Sequence, residues 1–225
     1  MGLKQYIIES SSKKREYSLF NSIPLFIKDP PRSAEVDIPE LVSSIEELLP
    51  PNYFVGVEAV YIGRFPELEK EGKKAAFADG ALYVSNDEET TFDLLEDVIH
   101  ETAHAVEKEQ FTFIYSDGLL EKEFLGKRQR LQSILEGEGF NLPEKYYLDT
   151  EYNENFDRYL SDLIGYPLLL NLTMGLFVSP YGATSLREYF ANAFENYYLD
   201  NAESVKDISP AAYQKIVTLH NEETQ

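Results

Sequence analysis

The sequence predicts an α+β fold, with a small mixed sheet and one long helix in the first half and a mostly helical second half. Three observations predict it. Residues 53–62 and 81–85 are short runs rich in β-branched and aromatic side chains, which suit a pleated, half-buried surface. From Phe92 to about Glu109, Leu94, Leu95, Val98, Ile99 and Val106 recur at helical spacing. Beyond that point the periodic segments are nearly all helical.

Taken in order, the first thirty-odd residues are irregular. Tyr6-Ile7-Ile8 and Leu25-Phe26-Ile27 read as short strands or a strap, and Pro24, Pro30 and Pro31 discourage long elements. Pro39 opens a helix with Leu41, Val42, Ile45, Leu48 and Leu49 on one face, and Pro50-Pro51 stops it. Tyr53 to Ile62 reads as a strand, and the charged, Gly-punctuated stretch from Arg64 to Lys74 as a loop. Asp79-Gly80 signals a turn before the strand Ala81–Ser85. Thr90 and Thr91 are candidate N-caps for the helix that follows.

In the second half, Leu119 to Glu136 is amphipathic and ends near Gly137 and Gly139. Asn141 to Asn155 reads as a polar, Tyr-rich connection, and Phe156 to Val178 as one or two helices with Pro167 as a break or first-turn residue. Ser185 to Leu199 and Pro210 to Leu219 read as helices. The expected organisation is an α+β lobe over 1–110 ending in the long helix and a helical lobe over 111–225, together one domain.

Composition narrows the function classes. The 16 tyrosines, 14 phenylalanines and 43% hydrophobic content are ample for a core. A net charge of −20 argues against nucleic acid and anionic lipid as partners. The absence of cysteine excludes a disulfide framework, a thiol nucleophile and a Cys-based metal site. The apolar stretch Leu163 to Val178 is interrupted by Gly165, Pro167, Asn171 and Thr173. It falls short of the ~20 residues a membrane span needs and reads as a buried core helix. Met1 to Lys14 has no apolar signal-peptide core, so the expectation is a cytoplasmic protein.

The chemistry concentrates in His100-Glu101-Thr102-Ala103-His104, which uses two of the three histidines. H-E-x-x-H on a helix places two imidazoles one turn apart on one face, with a carboxylate beside them to accept a proton from a metal-bound water. Such matches also arise by chance on solvated helices. Here the histidine-poor composition and the apolar flanks Val98, Ile99, Ala103, Ala105 and Val106 favour a zinc site.

A catalytic zinc takes three protein ligands and keeps a position for water. No third histidine follows at short spacing, so the expected third ligand is a carboxylate on a later helix. Glu188 is the best candidate, although Ser185-x-x-Glu188 is also a capping box. Glu195, two turns on, is the fallback, and His220 reads as a C-terminal helix residue rather than a ligand.

His100-Glu101-Thr102-Ala103-His104-Ala105-Val106, with Ser179-Pro180-Tyr181-Gly182 and Arg187-Glu188-Tyr189-Phe190-Ala191-Asn192-Ala193-Phe194, resembles the gluzincins of the anthrax lethal factor and Pro-Pro endopeptidase type. Tyr181 stands seven residues before Glu188, the spacing of that family. The resemblance implies a zincin-like fold and a zinc-dependent endopeptidase acting on a protein or peptide. It also implies zinc on His100, His104 and Glu188, Glu101 as general base and acid, and Tyr181 as donor to the tetrahedral oxyanion. Two departures stand out. Asn192 replaces the acidic residue that orients a zinc-bound histidine in the family, and a helical block over about 111–177 lengthens the stretch between His104 and Glu188. Those departures are what favour the alternative, a non-catalytic zinc-containing binding or scaffold module. An extended substrate is expected to pair with the strand Ala81–Ser85.

Overall fold

The computed structural model describes residues 17–223; the strand expected at Tyr6-Ile7-Ile8 lies outside them. By their internal contacts the residues divide into two compact units, one ending at Glu109 and the other beginning at Gln110.

The first unit is a five-stranded mixed sheet with helices. Its strands are β1 (Tyr17–Leu19), β2 (Ile23–Ile27), β3 (Ala59–Gly63), β4 (Ala75–Ala78) and β5 (Ala81–Ser85). Their order is β1-β2-β3-β5-β4. β2, β3 and β5 run parallel, while β1 and β4 are antiparallel edges. The parallel pairs need crossovers. Helix α1 (Ile38–Leu48) lies in the first, and helix α2 (Pro66–Glu71) with β4 in the second.

Alternation along the central strands separates two faces. Val60, Ile62, Leu82 and Val84 are fully buried on one. On the other, register pairs Phe26 with Tyr61 and Tyr61 with Tyr83. Those rings stack at 5.3 and 5.4 Å between centroids, with Phe65 edge-on to Tyr83.

Helix α3 (Thr91–Glu109) lies against α1, β4 and β5. Thr90 and Asp93 cap it reciprocally. The Asp93 N–H donates to Thr90 Oγ1 at 3.1 Å, and the Thr90 N–H to Asp93 Oδ2 at 2.9 Å. Leu94, Val98, Ile99, Ala103 and Ala105 are fully buried, so the helix cannot rotate without exposing its apolar stripe.

The sequence-based boundaries change in three places here. The expected strand over 53–62 begins only at Ala59, because Pro51–Phe54 form a 3-10 turn and Gly56 has φ 85°. The expected loop over 64–74 contains α2, with Pro66 in its first turn and Gly72 closing it at φ 67°. β5 is not a rim. It has β3 on one side and β4 on the other, so the sheet edge on that side is β4. Asp79 and Gly80, both at positive φ, make the two-residue turn between β4 and β5.

The second unit contains α4 (Phe111–Tyr115), α5 (Leu119–Gly137), α6 (Lys145–Leu148), α7 (Glu154–Arg158), a π-helical turn (Tyr159–Ile164), α8 (Tyr166–Leu172), a 3-10 turn (Tyr181–Ala183), α9 (Leu186–Leu199), α10 (Ala202–Ile208) and α11 (Pro210–Glu223). Buried and half-buried polar side chains tie it together. Glu123 accepts from Tyr189 Oη and the Ala211 N–H, both at 2.8 Å, linking α5 to α9 and α11. Arg128 is 1% exposed and stacks over Phe156 at 4.0 Å. Its guanidinium donates to the carbonyls of Ala183, Thr184, Tyr146 and Asp149.

The stretch Leu163 to Val178 is not a buried core helix. Gly165 at φ 85° breaks it, and Leu163, Leu170 and Met174 are 66%, 51% and 81% exposed, leaving Ile164, Leu169, Thr173, Leu176 and Phe177 as its buried residues. No helix among the described residues is long and apolar enough to cross a membrane.

Candidate metal centre

Three candidate residues meet on α3. His100, Glu101 and His104 each offer a ligand atom, and these atoms lie within 4.8 Å of one another. The two imidazoles are 5.1 Å apart between centroids and inclined at 76°, as residues one helical turn apart on a shared face should be. Both histidines are half-buried and Glu101 is 8% exposed. Two imidazole nitrogens and a carboxylate oxygen this close together could hold a metal ion.

Glu101 and His104 are each held by a neighbour in the same unit. Glu101 Oε2 accepts from the Phe77 N–H of edge strand β4 at 2.6 Å. His104 Nδ1 lies 3.2 Å from Glu107 Oε2, with the Glu107 side chain only 2% exposed. Asp97, one turn before Glu101, has its Oδ2 buried with no hydrogen-bond partner among the described residues. Burial first, then the charges of Glu88 and Glu101, push its carboxyl up to about 8, against the opposing pull of His100 and Lys74. Glu88 itself pairs with Lys74 at 2.9 Å.

Phe77, Asp97 and Glu107 went unnoticed in the sequence. For the two carboxylates a signal existed: Asp97 precedes His100 by three residues and Glu107 follows His104 by three, spacings that bring side chains together on a helix. For the Phe77 amide there was none, since only the fold places β4 beside α3.

Tyr181 and Glu188 belong to the second unit. Tyr181 opens the 3-10 turn before α9 and is half-buried. Burial first, then the charges of Glu188 and Asp157, raise its hydroxyl well above the ordinary phenol value. It therefore stays a protonated donor through the neutral range. Glu188 is half-buried in the first turn of α9, where Ser185 Oγ accepts its N–H at 3.1 Å. The cap expected at Ser185 is formed, and it orients the start of the helix that carries Glu188.

Asn192 is engaged inside the same unit. Its Oδ1 accepts from the Ser179 hydroxyl and its Nδ2 donates to the Glu188 carbonyl at 2.9 Å. It thereby fixes the segment leading to Tyr181 onto α9. Glu195 is half-buried further along α9. On α11, His220 Nδ1 lies 3.1 Å from Oη of Tyr198 on α9.

Compared with known protein families, with curated proteins and with solved structures, the chain matches none.

Proposed function

We propose that the chain is a zinc-dependent endopeptidase of gluzincin type, with a zincin-like arrangement of sheet and active-site helix. The observation that carries this reading is the His100–Glu101–His104 group, with ligand atoms within 4.8 Å on a helix anchored by fully buried side chains. In the proposal His100 and His104 hold the ion, and Glu188 completes the set from α9. The ion, when bound, supplies Lewis acidity to a water and to the scissile carbonyl.

The chain's own residues do the rest. Glu101, steadied by the Phe77 amide on Oε2, takes the proton of the attacking water and returns it to the leaving amine. Tyr181, with its hydroxyl kept protonated, donates a hydrogen bond to the developing oxyanion. An extended peptide adds to the outer edge of β4, whose main chain already meets Glu101 at Phe77.

The test compares wild type with Glu101→Ala on a peptide library, with zinc content measured in both. The expected result is near-stoichiometric zinc in both proteins and a loss of turnover of about 10²–10⁴-fold in the variant. Zinc-loaded wild type that is as inert as the variant on every peptide and protein overturns the protease reading.

A further inference from the structure

The geometry points to Glu107 as the positioning carboxylate of this centre: it holds Nδ1 of His104 so that the opposite ring nitrogen, Nε2, is presented to the ion. The inference rests on the zinc reading of the same site. Glu107 is 1% exposed, among the most buried charged side chains of the described residues. A carboxylate at such a place is costly unless a partner compensates it. An apolar side chain would suit the packing better if packing were all that the position required. Its Oε2 stands 3.2 Å from His104 Nδ1.

A neutral imidazole carries one N–H. An acceptor at Nδ1 fixes the proton there and leaves the Nε2 lone pair for a metal. Carboxylates that bond the second nitrogen of a ligating histidine set its tautomer and ring orientation and raise its basicity.

The resemblance assigned that task to the position of Asn192. Asn192 instead bonds the Ser179 hydroxyl and the Glu188 carbonyl. Glu107 supplies a charged acceptor from within α3 itself, three residues after the ligand. The orienting group and the ligand thus share one rigid element, and no loop has to close to bring them together.

Two readouts test this. In metal-free protein, ¹⁵N spectra of the His104 ring are expected to show the Nδ1–H tautomer in wild type and a shift toward Nε2–H in Glu107→Ala. In a chelator competition, Glu107→Ala is expected to weaken zinc binding by about 10–100-fold. Glu107→Gln keeps the shape and a neutral acceptor, so it folds normally and falls between the two. Glu109→Ala, an exposed charge at the end of the same helix, is expected to leave affinity unchanged. Equal zinc affinity in wild type and both Glu107 variants, or an Nε2–H tautomer in wild type, overturns the role of Glu107. A wild type that binds no zinc at all overturns the functional reading instead, and the tautomer measurement still decides whether Glu107 holds Nδ1.

Discussion

The two units bury charge of opposite sign and treat it differently. The first buries carboxylates: Glu101 and Glu107 are 8% and 1% exposed, and Asp97 lies beside them on the same helix. The second buries cations: Lys127, Arg128 and Lys215 are 9%, 1% and 8% exposed. The cations are met mostly by fixed oxygens, although the buried Arg128 Nε has no hydrogen-bond partner among the described residues. Lys127 donates to the carbonyls of Leu176 and Ile208, and Lys215 to the Phe113 carbonyl and Asp117. Arg128 reaches four carbonyls. These contacts join segments far apart in sequence and act as internal braces. The carboxylates of α3 cluster with two imidazoles, and the buried Asp97 Oδ2 has no donor among the described residues. Buried charge matched to fixed dipoles holds a fold, whereas negative charge gathered around imidazoles is suited to receiving a cation.

The contrast is most easily broken at Arg128. Arg128→Leu leaves the carbonyls of Tyr146, Asp149, Ala183 and Thr184 without their donor. It is expected to cost about 3–5 kcal/mol in urea unfolding. Arg128→Lys should recover only part, because a single ammonium cannot reproduce the guanidinium fork. A loss below about 1 kcal/mol would mean that the brace is not one.

Asp97 sharpens the other side. Its folded value of about 8 stands above the ~3.9 of an unfolded aspartate. The folded state therefore binds the extra proton between those values. The associated stability is fully present below about pH 4 and is lost as pH rises through about 8. In metal-free protein Asp97→Asn is expected to remove that slope. Thermal unfolding should find the variant about 1–3 kcal/mol more stable than wild type at pH 9 and nearly equal at pH 5. Parallel pH profiles would show that Asp97 is not the strained member of the cluster.

The smallest effect is expected at Ser185. Ser185→Ala removes the acceptor for the Glu188 N–H and should cost about 1 kcal/mol of stability. A change confined to zinc affinity, with stability untouched, would instead tie Ser185 to the ion through Glu188.

Long periodic segments were legible from the chain alone: α3, α5 and α9 lie where their apolar spacing put them, and Ser185 and Thr90 cap as expected. What escaped was structure decided by neighbours. Ala75–Ala78 has no β-branched residue and looks indifferent as a strand, yet pairing with β5 makes it the sheet edge. Leu163 to Val178 looked like core because composition does not reveal which face a broken helix turns outward. At the site, the HExxH pentapeptide announced itself. Glu107 and Asp97 did not, because charged residues on a long helix read as a solvated face until burial is known.

The bond from Phe77 to Glu101 makes a single amide proton a witness to the chemistry. Outward-facing amides of an edge strand normally trade their hydrogens with solvent quickly. That of Phe77 points at a buried carboxylate and should exchange slowly, with a resonance displaced downfield. Its signal will move whenever Glu101 gains a proton, giving a spectroscopic view of the proposed general base that needs neither substrate nor label.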